Sequence, residues 1–166
     1  MNAVFFKKTF FLSLFVLAFF ISCHRFSPPA SSVSIDRGRY LSVISGCHDC
    51  HTPGWAAAGG KAEEKIWLTG SDVGFEGPWG TTYPTNLRLN LQQMTEDQWV
   101  NLAHVLHTLP PMPWWILNAM TEDDLRSLYR FIRSLGPAGK PAPAVVPENV
   151  VPNTLVIPFV PEKMKK

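Results

Sequence analysis

At 166 residues, 46% of them hydrophobic and 17% charged, the chain has room for one compact domain and no obvious second core. Two of its 15 basic residues, Lys7 and Lys8, lie in the first 22, which leaves 13 basic against 13 acidic residues in the remainder. The +2 net charge therefore belongs to the N-terminal end, and the rest has no basic excess for a nucleic-acid partner.

The start of the chain, "MNAVFFKKT", runs into "FFLSLFVLAFFIS" (10–22), which carries no charge. This run is shorter than the ~20 residues a membrane-spanning helix needs, and it fits the apolar stretch of an export signal, expected over 1–22. Cys23 closes the run in "FISC", a small residue followed by cysteine. The arrangement resembles the lipobox of bacterial lipoproteins, with Phe20 where an aliphatic residue is usual, and implies lipidation of Cys23. The other reading is a chance cysteine beside an ordinary cleavage site. Signal and lipid together place the expected mature chain on the periplasmic side of a bacterial membrane. Residues 23–33, rich in proline and serine, read as its flexible tether.

Ser34 is a good N-cap for a helix over "IDRGRYLSVIS", with Ile35, Tyr40, Leu41 and Ile44 as its apolar face and Gly46 as its end. Residues 53–94 form a long stretch with seven glycines, in which "EEKIWL" reads equally as a short helix or a strand. So much irregular chain suits a compact domain if a large apolar ligand fills the core. "TEDQWVNLAHVLHT" (95–108) opens with a capping box, Thr95 and Gln98, and carries a stripe of Trp99, Leu102, Ala103 and Leu106. "TEDDLRSLYRFIRSLG" (121–136) opens on Thr121 and three acids, favoured by the helix dipole. Its stripe is Leu125, Leu128, Tyr129 and Ile132, and Gly136-Pro137 stops it. Residues 137–166 read as a proline-rich extended arm, so the expected fold class is all-α with long glycine-rich loops.

"GCHDCHTPGW" (46–55) carries the chemistry. Cys47, Cys50 and His51 form C-x-x-C-H. Zinc needs four ligands and finds no second cysteine pair downstream. A thioredoxin-like redox pair would sit in a βαβ pattern, and a plain disulfide here closes too small a loop to stabilise much. Covalent attachment of one haem c uses all three residues: the two sulfurs join the macrocycle edge and the histidine binds the iron. His48 and Asp49 are spacers on this reading, with His48 a bystander. Pro53 is a candidate to supply a carbonyl to the His51 ring N–H and fix its orientation.

Beyond this motif, "RGRYL", "GPWGTTYPTN", "PPMPW" and "TEDDLRSLYRFIRSL" make residues 34–136 resemble monohaem class I cytochrome c domains. The likeness is to the type in cytochrome subunits of bacterial membrane-bound alcohol and sugar dehydrogenases. It implies a small cytochrome c fold, with helices packed around the haem. For the distal iron ligand the residues offer Met94, Met112, Met120, His104 and His107. Met112 lies in a proline-stiffened loop able to hold a thioether in place, and the resemblance implies the same residue. It also implies that Trp79, Tyr83 and Asn86 bond the haem propionates, against a plain reading as core aromatics and a turn asparagine. Gly38 and Tyr129 are the implied helix-crossing pair.

Iron held by His51 and Met112 has no open position for substrate. The expected function is therefore one-electron transfer rather than catalysis, between a dehydrogenase donor and an oxidase or cytochrome acceptor. The competing readings are a haem enzyme or gas sensor with a labile distal ligand, and an obligate cytochrome subunit of a dehydrogenase complex.

Overall fold

The computed structural model describes residues 33–159. The expected export signal, Cys23 and nearly all of the tether lie outside the described residues. Among the described residues no helix is long and apolar enough to cross a membrane.

Helix α1 (Ile35–Ile44) starts where the sequence places it, with the Ser34 hydroxyl accepting from the Arg37 backbone N–H at 3.1 Å. Its buried face differs from the expected one. Gly38, Leu41 and Ser42 face inward, while Ile35, Tyr40 and Ile44 are exposed. The cause is a close helix crossing, because a Cβ on Gly38 would overlap the Ser127 carbonyl oxygen and the Cβ of Phe131. The crossing partners are thus Ser127 and Phe131, one turn apart on the facing helix, rather than Tyr129. Tyr129 points elsewhere and donates its hydroxyl hydrogen to the Met94 carbonyl at 2.8 Å.

After Gly46, left-handed at φ 71°, comes the short helix α2 (Cys47–His51). The "EEKIWL" segment resolves as a single 3₁₀ turn, Glu64–Ile66. Strands β1 (Gly74–Gly77) and β2 (Gly80–Thr82) pair as a tight hairpin, followed by α3 (Leu87–Asn90). Helix α4 (Glu96–Val105) has both halves of its capping box, Gln98 N–H to Thr95 Oγ1 and Thr95 N–H to Gln98 Oε1. It buries Trp99, Val100 and Ala103 and leaves Leu102 exposed. It stops three residues short of 108 because the chain folds back into a helix not foreseen from sequence, α5 (Trp114–Ala119). From α5 the Asn118 amide donates to the Ala103 and Leu106 carbonyls, satisfying the end of α4.

Helix α6 (Glu122–Ser134) is the spine of the core. Leu125, Leu128, Phe131 and Ile132 are all at least 98% buried and pack with Leu41, Leu68, Leu91, Trp99 and Leu117. The Trp99 indole N–H donates to the Leu125 carbonyl at 2.9 Å and fastens α4 to α6.

The helix-rich fold also holds a three-stranded sheet, order β2-β1-β3, so all-α is too narrow a description. Strand β3 (Val156–Pro158) comes from the proline-rich arm and runs parallel to β1, with Phe75 opposite Ile157. An extended arm has unsatisfied backbone groups, and the free edge of β1 supplies their partners. Val146 and Thr81 also exchange both backbone hydrogen bonds, at 2.8 and 2.9 Å.

Candidate functional site

Cys47, Cys50 and His51 stand at i, i+3 and i+4 of α2, spacings that bring side chains onto one face of a helix. Both cysteines are free thiols and half-buried. Burial pushes the Cys47 thiol up to about 11, helped by Asp49, and pushes Cys50 up as well. Both are therefore S–H groups at neutral pH rather than thiolates.

His51 is held at two points. Its backbone carbonyl accepts from the Gly70 N–H at 2.8 Å, and its ring Nδ1 lies 2.7 Å from the Thr85 carbonyl oxygen. A carbonyl can only accept, so the ring hydrogen is on Nδ1 and Nε2 keeps its lone pair. Burial lowers the ring's affinity for a second proton, with the Thr85 bond opposing it. The orienting carbonyl is thus Thr85's and not Pro53's.

Gly70 makes that clamp possible. It has φ +81°, and a Cβ there would stand 2.8 Å from both the Pro84 oxygen and the Asn86 nitrogen. Only a residue without a side chain lets the 68–70 segment lie this close to residues 84–86. Neighbouring Leu68 is fully buried yet left-handed at φ 57°, a conformation costly for a leucine. It is fixed from both sides: its N–H donates to Thr52 Oγ1 at 2.8 Å, and its carbonyl accepts from Leu87.

His48, one position along α2 from Cys47, is no bystander. It is fully buried, stacked on Trp55 at 4.3 Å and edge-on to Trp67 at 4.9 Å. Its Nδ1 lies 2.9 Å from Thr52 Oγ1 and its Nε2 3.1 Å from Ser42 Oγ. One assignment satisfies the whole chain of bonds. Leu68 N–H donates to Thr52, Thr52 O–H to Nδ1, Nε2–H to Ser42, and Ser42 O–H to the Arg39 carbonyl at 2.7 Å. The ring must then be neutral, and burial, with Arg39 and His51 nearby, lowers its pKa to about 4.

Met112 lies in the loop between α4 and α5 and, like Met94 and Met120, is half-buried against the core. The loop carries a cis Pro110-Pro111 bond. The Thr82 hydroxyl donates to the Pro110 carbonyl at 2.7 Å, and Trp114 N–H to the Met112 carbonyl at 2.9 Å. The extended segment 82–85 therefore touches both candidate iron ligands' surroundings, the Met112 loop through Thr82 and the His51 ring through Thr85. His104 and His107 are exposed, the latter against the Trp114 ring at 4.3 Å.

Of the three residues expected at the propionates, Trp79 has a buried indole nitrogen with no hydrogen-bond partner among the described residues. Tyr83 meets Thr154 of the arm at 2.6 Å between hydroxyls. Asn86 is already spent: its Oδ1 caps α3 at Leu89 N–H, and its amide donates to the Ala138 and Lys140 carbonyls. It ties α3 to the arm and has no donor left for a carboxylate. Arg88, also unforeseen, is buried and donates to the Leu135, Gly136 and Lys65 carbonyls, closing the end of α6.

No family model and no solved structure matches the chain. The chain is similar to the fructose dehydrogenase cytochrome subunit of Gluconobacter japonicus, 30% identical over 128 residues. That alignment takes 69% of this chain and 24% of the relative, so the chain spans about a quarter of its relative's length.

Proposed function

We propose that the chain is a c-type cytochrome that carries single electrons on one haem bound through Cys47 and Cys50. The observation that carries this reading is the face of α2, where two protonated thiols stand beside a histidine whose Nδ1–H is committed to Thr85. That commitment presents Nε2 as a ligand and raises its basicity. Met112 is the proposed distal ligand, on a loop held by Thr82. The orphaned Trp79 N–H suits a propionate. When bound, the haem supplies reversible one-electron chemistry at iron. Of the chain's own residues, Thr85 fixes the ring of His51, and His51 and Met112 would hold the iron.

The similarity to a dehydrogenase cytochrome subunit supports a place beside a dehydrogenase donor; an oxidase or another cytochrome is the proposed acceptor. It also favours a second reading, that this chain is an obligate cytochrome subunit rather than a free carrier. In either case the proposal includes export, a lipid on Cys23 and a periplasmic position. The distinguishing experiment is a spectrum of the purified, haem-loaded chain with and without Met112→Ala. Loss of the thioether should let the reduced protein bind carbon monoxide and should lower the potential. Wild-type protein that already binds carbon monoxide readily would favour the haem-enzyme or sensor alternative. Co-elution with a dehydrogenase at native abundance would favour the subunit reading.

A further inference from the structure

Trp79 sits at the tip of the β1–β2 hairpin and is held from two sides. A Cβ on Gly77 would overlap its six-membered ring at 2.5 to 2.7 Å, so the indole lies directly on that bare glycine. On the other side stands Phe159, with ring centroids 6.1 Å apart at 63°. Phe159 belongs to the C-terminal arm. It is fixed there by its own N–H, which donates to the Glu76 carbonyl at 2.8 Å, and by the edge of Phe75 at 6.2 Å. The arm's strand β3 brings it to this point, with Tyr83 and Thr154 as a second tie. Between these two supports the indole keeps its N–H buried and without a partner among the described residues. A buried donor left unmatched is costly, so an N–H fixed this firmly calls for an acceptor beyond the described residues.

We propose that the C-terminal arm is a positioning strap for the cofactor's carboxylate: through Phe159 it holds Trp79 with its N–H aimed at a haem propionate and thereby sets the reduction potential. This rests on the haem reading above. Phe159 acts only through Trp79. A donated hydrogen bond stabilises the ionised carboxylate and offsets part of its charge near the iron. With the donor misplaced, the carboxylate's pKa rises, and above that pKa its less compensated charge favours ferric iron. The potential then falls.

The test compares full-length, haem-loaded wild type, Phe159→Ala, Trp79→Phe and the double variant by redox titration over a range of pH. Phe159 is half exposed, so its substitution spares the core. We expect the potential to fall in both single variants and the double variant to match Trp79→Phe. The pH-dependent step in potential should move to higher pH. An unmoved potential in Phe159→Ala, or a further full drop when it is added to Trp79→Phe, overturns the strap. Should Trp79→Phe fail to load haem, the pH profile of Phe159→Ala decides alone, and an unshifted profile rejects the idea. A wild-type chain without haem would overturn the functional reading itself, whereas a coloured protein indifferent to Phe159 overturns only the arm's role.

Discussion

Gly70→Ala tests the clamp on His51 from a position that touches neither the thiols nor the ring. The new Cβ would stand 2.8 Å from the Pro84 oxygen and the Asn86 nitrogen and 3.0 Å from the Thr85 carbonyl carbon, where ordinary contact begins near 3.4 Å. All three neighbours are backbone, so the segments around residues 69–71 and 84–86 must separate by several tenths of an ångström. The His51 Nδ1 to Thr85 bond, now 2.7 Å, lengthens with them. Left-handed alanine at φ +81° adds ~1 kcal/mol of strain, and weakening a buried hydrogen bond adds ~1 kcal/mol more. The expected loss is therefore about 2 kcal/mol, or a thermal midpoint lower by roughly 6–10 °C for a domain of this size. A weaker bond to Nδ1 also makes Nε2 less basic, which disfavours ferric iron and raises the potential. Thermal unfolding and redox titration of the loaded variant measure both. Wild-type stability together with a wild-type potential would refute the clamp.

Three further outcomes follow from the same geometry. His48 is neutral in the fold with a pKa of about 4, against 6.5 for the ordinary ring. The unfolded chain therefore binds a proton that the fold does not, and this contribution to stability is intact above pH 6.5. It is lost as pH falls toward 4, by at most ~1.4 kcal/mol per pH unit, and the slope should become shallower in His48→Phe, as read by urea melts. His48→Ala leaves Ser42, Thr52 and the aromatic cluster without their partner and should cost ~3 kcal/mol. Gly38→Ala drives a methyl into the Ser127 carbonyl and should destabilise by ~3 kcal/mol or abolish folding, visible as loss of helical circular dichroism at ambient temperature.

What could be read from sequence was local. The Ser34, Thr95 and Thr121 caps work because their partners lie three residues away. The C-x-x-C-H motif was legible because its geometry is one turn of helix. The clamp was not: Thr85 is 34 residues from His51, and a backbone carbonyl has no residue type to betray it. Pro53 looked right only because it was near in the chain. The role of His48 was hidden because two hydroxyls that complete its network, Ser42 and Thr52, are ordinary residues until α1 and α2 meet. The resemblance implies Tyr129 at the crossing, and the stripe of α6, which marks the core, does not show that Ser127 and Phe131 are what faces Gly38. Strand β3 escaped notice because it pairs through backbone alone, in a stretch whose prolines suggest no sheet.

The proposed haem attachment rests on one helix turn, Cys47–His51. Its most direct test is the mass and colour of the denatured, extracted chain after expression with the machinery that attaches haem c. The predicted result is one haem retained covalently per chain, and lost when Cys47 and Cys50 are both changed to serine. A colourless chain of unmodified mass would contradict it.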